Sequence, residues 1–249
     1  MKNNRLFKYL MITFLISWIC WGVLILLGNN DVIAYSDPAG FIIFCIGCFG
    51  PTIAAIAIQD KRSPKSVVRY VFSGNHKAVL YLLLFCILLA TTITVSSPER
   101  NTDMPLYLFP IFLIIMTSIG GGFEELGWRG FMQPTLEKSM PFPIAVVLTS
   151  TIWSVWHLPL WFVAGSGQQE MPFIVFVVFG YVLSFSMAAI HKKSKCVFYS
   201  CIFHGLSNTL TSFFVIGYNW LMVLGCIATI AVSLMISFLD KRKIVQRTK

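Results

Sequence analysis

Eight long apolar runs constrain this chain more than any other feature: 7–27, 39–58, 78–96, 106–123, 142–163, 172–190, 196–216 and 220–239. A bilayer core about 30 Å thick is crossed by roughly 20 apolar residues in a helix. The alternation of a membrane barrel strand is absent, so the runs are read as helices, which satisfy their backbone groups internally. Composition agrees: 12% of residues are charged and 57% apolar, against about 25% and 45–50% in soluble domains. So little charge cannot cover a water-exposed surface, which excludes a soluble enzyme. The same numbers exclude disorder and a small disulfide scaffold. The expected fold class is all-α, a polytopic membrane protein of about eight transmembrane helices forming one domain over 1–249.

Charge placement gives an orientation. With the N-terminus inside, eighteen of the nineteen lysines and arginines fall on one side, and cytoplasmic loops carry such an excess. They are Lys2, Arg5 and Lys8; Lys61, Arg62, Lys65, Arg69 and Lys77; Arg129 and Lys138; Lys192, Lys193 and Lys195; and Lys241, Arg242, Lys243, Arg247 and Lys249. Arg100 alone falls outside, together with Asp31, Asp37, Glu99, Asp103 and Glu170. Both termini are therefore expected in the cytoplasm. The net charge of +9 reads as an orientation signal, so the expected partners are membrane lipids and no nucleic acid. The first run is longer than a signal-peptide core and lacks a clean cleavage site, so it is read as a retained anchor. The seven cysteines all lie in the runs and form no disulfide framework, and Cys45-x-x-Cys48 is read as packing.

Ionisable groups at membrane depth are expensive, and each one suggests function. Gly120-Gly-Gly-Phe-Glu-Glu-Leu-Gly-Trp-Arg-Gly130 sets Glu124 beside Glu125, with Arg129 four residues after the second. On a helix Glu125 and Arg129 share a face, and Glu124 points about 100° away, free to face a cavity. Trp153-Ser-Val-Trp-His157 lies inside the fifth run, and His204-x-x-x-Asn208 shares one helical face in the seventh. Singly, each has a plain alternative: a solvated acid pair, a packing histidine, a polar helix contact. Measured at about 1.5 Å per residue, however, all reach comparable depth, which favours one site. A Glu beside a His can hold and deprotonate water, while a second His and an Asn can donate to an oxyanion. Alternatively Glu124, His157 and His204 could bind Zn²⁺, which would supply the hydroxide. Both routes lead to hydrolysis of an acyl bond inside the membrane.

At these residues the chain resembles the intramembrane proteases related to the type II CAAX prenyl endopeptidase, a family that includes bacterial bacteriocin-processing and immunity proteins. The family pattern is E-E-x-x-x-R, an aromatic four residues before a His, and H-x-x-x-N on a later helix. Here these read Glu124-Glu125-x3-Arg129, Trp153-x3-His157 and His204-x3-Asn208, within a protease-like core of about 106–216. Family members more often carry Phe where Trp153 stands, and the exchange is read as keeping an apolar aromatic in place. The resemblance implies that Glu124 and His157 polarise the water, while His204 and Asn208 stabilise the oxyanion. It also implies that Glu125 and Arg129 order the motif helix. Two histidines, a Glu and an Asn would be an unusual zinc site, so the reading leans to no required cofactor.

The expected activity is an intramembrane endopeptidase acting on a membrane-associated or lipid-modified peptide that enters sideways between helices. The expected cavity opens towards the cytoplasmic half of the bilayer. Short loops and the absence of extra domains suggest a bacterial cytoplasmic membrane. Two other readings stay open: a non-proteolytic immunity or partner-binding protein of the same fold, and a small proton-coupled transporter using the Glu–His cluster as a relay.

Overall fold

The computed structural model describes residues 2–59 and 63–247. Lys61, Arg62 and Lys249, counted above for orientation, lie outside the described residues, as do the side chains of Lys2, Lys241, Arg242, Lys243 and Arg247. The chain is an all-α, multi-pass integral membrane protein. Its helices are α1 (Lys2–Asn29), α2 (Pro38–Cys48), α3 (Gly50–Ala57), α4 (Pro64–Phe72), α5 (Val79–Val95) and α6 (Phe109–Ser118). Two short pieces, α7 (Glu125–Gly127) and α8 (Gln133–Leu136), precede α9 (Phe142–His157), α10 (Phe173–Ser194), α11 (Val197–Phe213) and α12 (Trp220–Arg247).

The surface is inverted relative to a water-soluble protein. Leu26 and Ile114 are 66% and 70% exposed, while Glu125 and Arg129 are 0% exposed. Without water outside, there is no gain in burying leucine, so association rests on close packing and internal polar contacts. Aromatic rings supply much of that packing. Tyr9, Trp21, Trp128 and Trp156 are fully buried in one cluster, with Trp128 and Trp156 edge to face at 5.7 Å.

Six helical stretches among the described residues are long and apolar enough to cross a membrane: Asn4–Asn29, His76–Val95, Leu106–Leu136, Phe142–Phe162, Phe173–Ser194 and Trp220–Leu239. The pair α2 and α3, bent by 44°, makes a seventh if it is one crossing. Length and composition thus support six or seven crossings rather than the expected eight. Two physical causes account for the difference. The second run breaks at Gly50-Pro51, where proline begins α3 and cannot donate to the preceding turn. The seventh run folds as α11, only 17 residues long. It packs most extensively on α6 and carries buried Ser200, His204 and Ser207. A helix enclosed by protein needs neither the length nor the apolarity of a lipid-facing one.

One two-residue ladder interrupts the helical pattern. Glu99–Arg100 pairs antiparallel with Phe214–Val215, and Asn101 donates from its side chain to the Ser212 carbonyl at 3.0 Å. These contacts hold the end of α11 against the loop that leads into α6.

Candidate active site

The site forms where α6 stops. Gly121 has φ 113°, a left-handed conformation that costs a residue with a Cβ about 1–2 kcal/mol. The chain then re-enters as a 3-10 turn over Gly122–Glu124, helix α7, a wide π turn over Trp128–Met132 and helix α8. The expected single motif helix is therefore four short pieces. Neighbouring elements pin its carbonyls. Thr52 donates to Phe123 O at 2.5 Å, and Tyr70 on α4 donates to Leu126 O at 2.5 Å. Burial pushes the Tyr70 phenol well above its ordinary range, so it remains protonated and keeps donating.

Glu125 and Arg129 pair as their spacing predicts, with Arg129 Nη1 3.0 and 3.1 Å from the two carboxylate oxygens. The other end of the fork, Nη2, donates to Ser184 Oγ on α10 at 2.6 Å. Glu125 also accepts from His204: Nδ1 lies 2.9 Å from Oε1. An arginine-paired carboxylate is an acceptor only, so this His204 nitrogen carries the hydrogen and Nε2 is turned outward.

Glu124 is a neighbour of Glu125 in sequence but has different partners. Its Oε2 accepts from Trp153 Nε1 at 3.0 Å, and its Oε1 lies 4.0 Å from His157 Nε2. His157 sits at the C-terminal end of α9, where its Nδ1 lies 2.8 Å from the Trp153 carbonyl. A carbonyl can only accept, so Nδ1 carries the hydrogen and the neutral ring turns an Nε2 lone pair towards Glu124.

The last two groups border Gly121. A Cβ at that glycine would stand 3.0 Å from Asn208 Nδ2 and 3.1 Å from His204 Nε2, so both side chains face the space its hydrogen leaves. Asn208 uses one amide hydrogen on Gly120 O at 2.7 Å. Gly121→Ala is therefore expected to cost about 1–2 kcal/mol of backbone strain and to crowd both side chains. Thermal unfolding in detergent checks this, and an unchanged midpoint would contradict it. A shallow crevice between the α2–α3 break and the end of α6 is lined by Cys48, Phe49, Ser118, Ile119, Gly121, Phe123 and Glu124.

Residues 106–210 match the family model described as Type II CAAX prenyl endopeptidase Rce1-like. Over those residues the chain is similar to this family. CAAX prenyl protease 2 of Methanococcus maripaludis is 31% identical over 108 residues, covering 39% of this chain and 38% of that protein. The chain thus spans well under half the length of this curated relative. The Rce1-like segment contains Gly121, Glu124, Glu125, Arg129, Trp153, His157, Ser184, His204 and Asn208.

The structure brings every expected site residue of this Rce1-like segment into one cluster, with Asn208 half-buried, and adds three contacts that the sequence did not name. His204 addresses Glu125 and not Glu124, because α11 presents it to the carboxylate that Arg129 holds. Trp153 is a hydrogen-bond donor as well as an aromatic. Ser184, absent from the expected set, completes the Arg129 fork, and an apolar run on α10 gave no cue that this serine met a guanidinium. Among the described residues no group of three or more His, Cys, Asp or Glu could hold a metal ion.

Proposed function

We propose that this protein is an intramembrane endopeptidase that hydrolyses a membrane-associated or lipid-modified peptide with a water held between Glu124 and His157. The observation that carries this reading is the facing pair Glu124 Oε1 and His157 Nε2, 4.0 Å apart. Both are hydrogen-bond acceptors in the state described above. A water at ordinary distance from each gives one hydrogen to the carboxylate and one to the imidazole, and its lone pair is left to attack. Glu124 takes the proton as the carbon–oxygen bond forms and returns it to the leaving amine.

The developing oxyanion needs donors beside Gly121. Asn208 has a second amide hydrogen, since Gly120 O takes only one. His204 can donate through Nε2 only when its ring is doubly protonated, with Nδ1–H retained by Glu125. Such preorganised donors are worth about 10²–10³-fold in rate each. The reading is metal-free, with Glu124 as the base.

The Methanococcus maripaludis relative is named a CAAX prenyl protease, which makes a prenylated peptide the first substrate to try. Purified protein in liposomes is expected to cleave an internally quenched farnesylated peptide with no proton gradient imposed. Peptide that binds and stays intact would favour a partner-binding protein, and gradient-driven counterflow would favour a transporter. Either result overturns the proposal.

A further inference from the structure

Trp153 is tied to both members of the proposed water-holding pair through different atoms. Its indole Nε1 donates to Glu124 Oε2 at 3.0 Å, while its backbone carbonyl takes the hydrogen of His157 Nδ1 at 2.8 Å. The indole fixes which carboxylate oxygen is spent, and the carbonyl fixes which imidazole nitrogen is spent. The two atoms left over, Oε1 and Nε2, are the two that face each other.

Neighbouring residues shape a slot for an indole in particular. Phe176 on α10 lies parallel to the ring, with centroids 4.9 Å apart and planes 13° apart. One turn later stands Gly180, where a Cβ would meet Trp153 Cζ3 at 2.8 Å and Cε3 at 3.3 Å. Those atoms belong to the six-membered ring, the part of an indole that makes it bulkier than a phenyl. Trp153 is buried and meets Glu124 through its indole N–H, so it acts through Glu124.

Resting on the endopeptidase reading, we propose that Trp153 is a positioning residue whose indole N–H locks Glu124 in the rotamer that turns Oε1 towards His157. The terminal torsion of a glutamate is broad and nearly two-fold, so a carboxylate without this donor can exchange its oxygens or turn to other partners. Phenylalanine at 153 would keep an aromatic ring beside Phe176 and the backbone carbonyl for His157, and lose the donor together with the bulk that fills the slot at Gly180.

Two experiments separate this role from a merely structural one. With the farnesylated reporter peptide, Trp153→Phe is expected to lower kcat about 10- to 100-fold, the worth of one charge-assisted hydrogen bond, with KM changed by less than about twofold. Gly180→Ala, which presses on the indole, is expected to lower kcat too, and to add little in the Trp153→Phe background. Unchanged kcat in Trp153→Phe, or fully additive losses, would overturn the proposal. The second readout needs no turnover. Among the seven indole N–H resonances (seven tryptophans) of nitrogen-15 protein in micelles, the one lost in Trp153→Phe is expected to shift in Glu124→Gln, because an amide oxygen is a weaker acceptor. A resonance that does not move would overturn the proposal. If that resonance moves while wild-type protein leaves the peptide intact, the endopeptidase reading fails and the indole–carboxylate lock stands.

Discussion

Glu124→Gln is expected to reduce hydrolysis of the reporter peptide about 10²- to 10⁴-fold, the usual worth of a positioned general base. The amide keeps the shape of the carboxylate and an oxygen for Trp153 Nε1, so loss of activity would not reflect a collapsed site. It cannot accept the proton of the attacking water. Stability is expected to hold or rise, because the substitution removes a charge from a buried position whose partners are an indole N–H and an imidazole, neither of them a full counter-charge. Thermal unfolding in detergent and reporter turnover together check both halves. Activity retained at more than about a tenth of wild type would remove Glu124 from the chemistry. Glu124→Ala is expected to lose activity to at least the same degree, with the added cost of an unfilled space beside Trp153.

Glu125→Gln offers the internal contrast. The two glutamates adjoin in sequence but occupy separate networks, one with Trp153 and His157, the other with Arg129 and His204. Losing Glu124 should cost rate and spare the fold, whereas losing Glu125 should cost the fold as well.

The legible and illegible parts of this arrangement divide along physical lines. The membrane class was legible because lipid demands long apolar runs, and a run is a property of adjacent residues. The Glu125–Arg129 pair was legible because a spacing of four brings side chains together on a helix. It survives even though the segment contains a π turn, since both carboxylate oxygens remain within reach of Nη1. The bend in the second run was less visible: Gly50-Pro51 stands in the sequence, yet the apolar pattern continues across it. Which carboxylate receives His204 was not legible at all. That choice depends on how α11 packs against α6, and both glutamates lie within one residue of each other along the chain. Trp153 shows the limit most clearly. Its aromatic character is evident from its identity, but its acceptor sits 29 positions away on another element, and no local pattern names it. The same holds for Ser184 and Arg129, 55 positions apart.

Arg129→Met is expected to destabilise the protein by about 3–5 kcal/mol, the cost of breaking one side of a buried ion pair. Arg129 is fully buried and holds Glu125 through Nη1 and Ser184 through Nη2. Methionine fills much of the stem volume but leaves the Glu125 carboxylate with only His204 and leaves Ser184 without its donor. Arg129→Lys should recover part of the loss, since an ammonium restores the charge but not the planar fork that meets two partners on separate elements. The double variant Glu125→Gln/Arg129→Met should be more stable than Arg129→Met alone, because neither charge then remains buried without its partner. Its activity should stay low, since His204 no longer has a carboxylate to hold Nδ1 and to aim Nε2 at Gly121. Thermal unfolding of the four proteins in one detergent, with reporter turnover measured alongside, separates the two effects. Equal midpoints for wild type and Arg129→Met would show that the pair carries no folding energy, and parallel recovery of stability and turnover in the double variant would show that His204 needs no anchor.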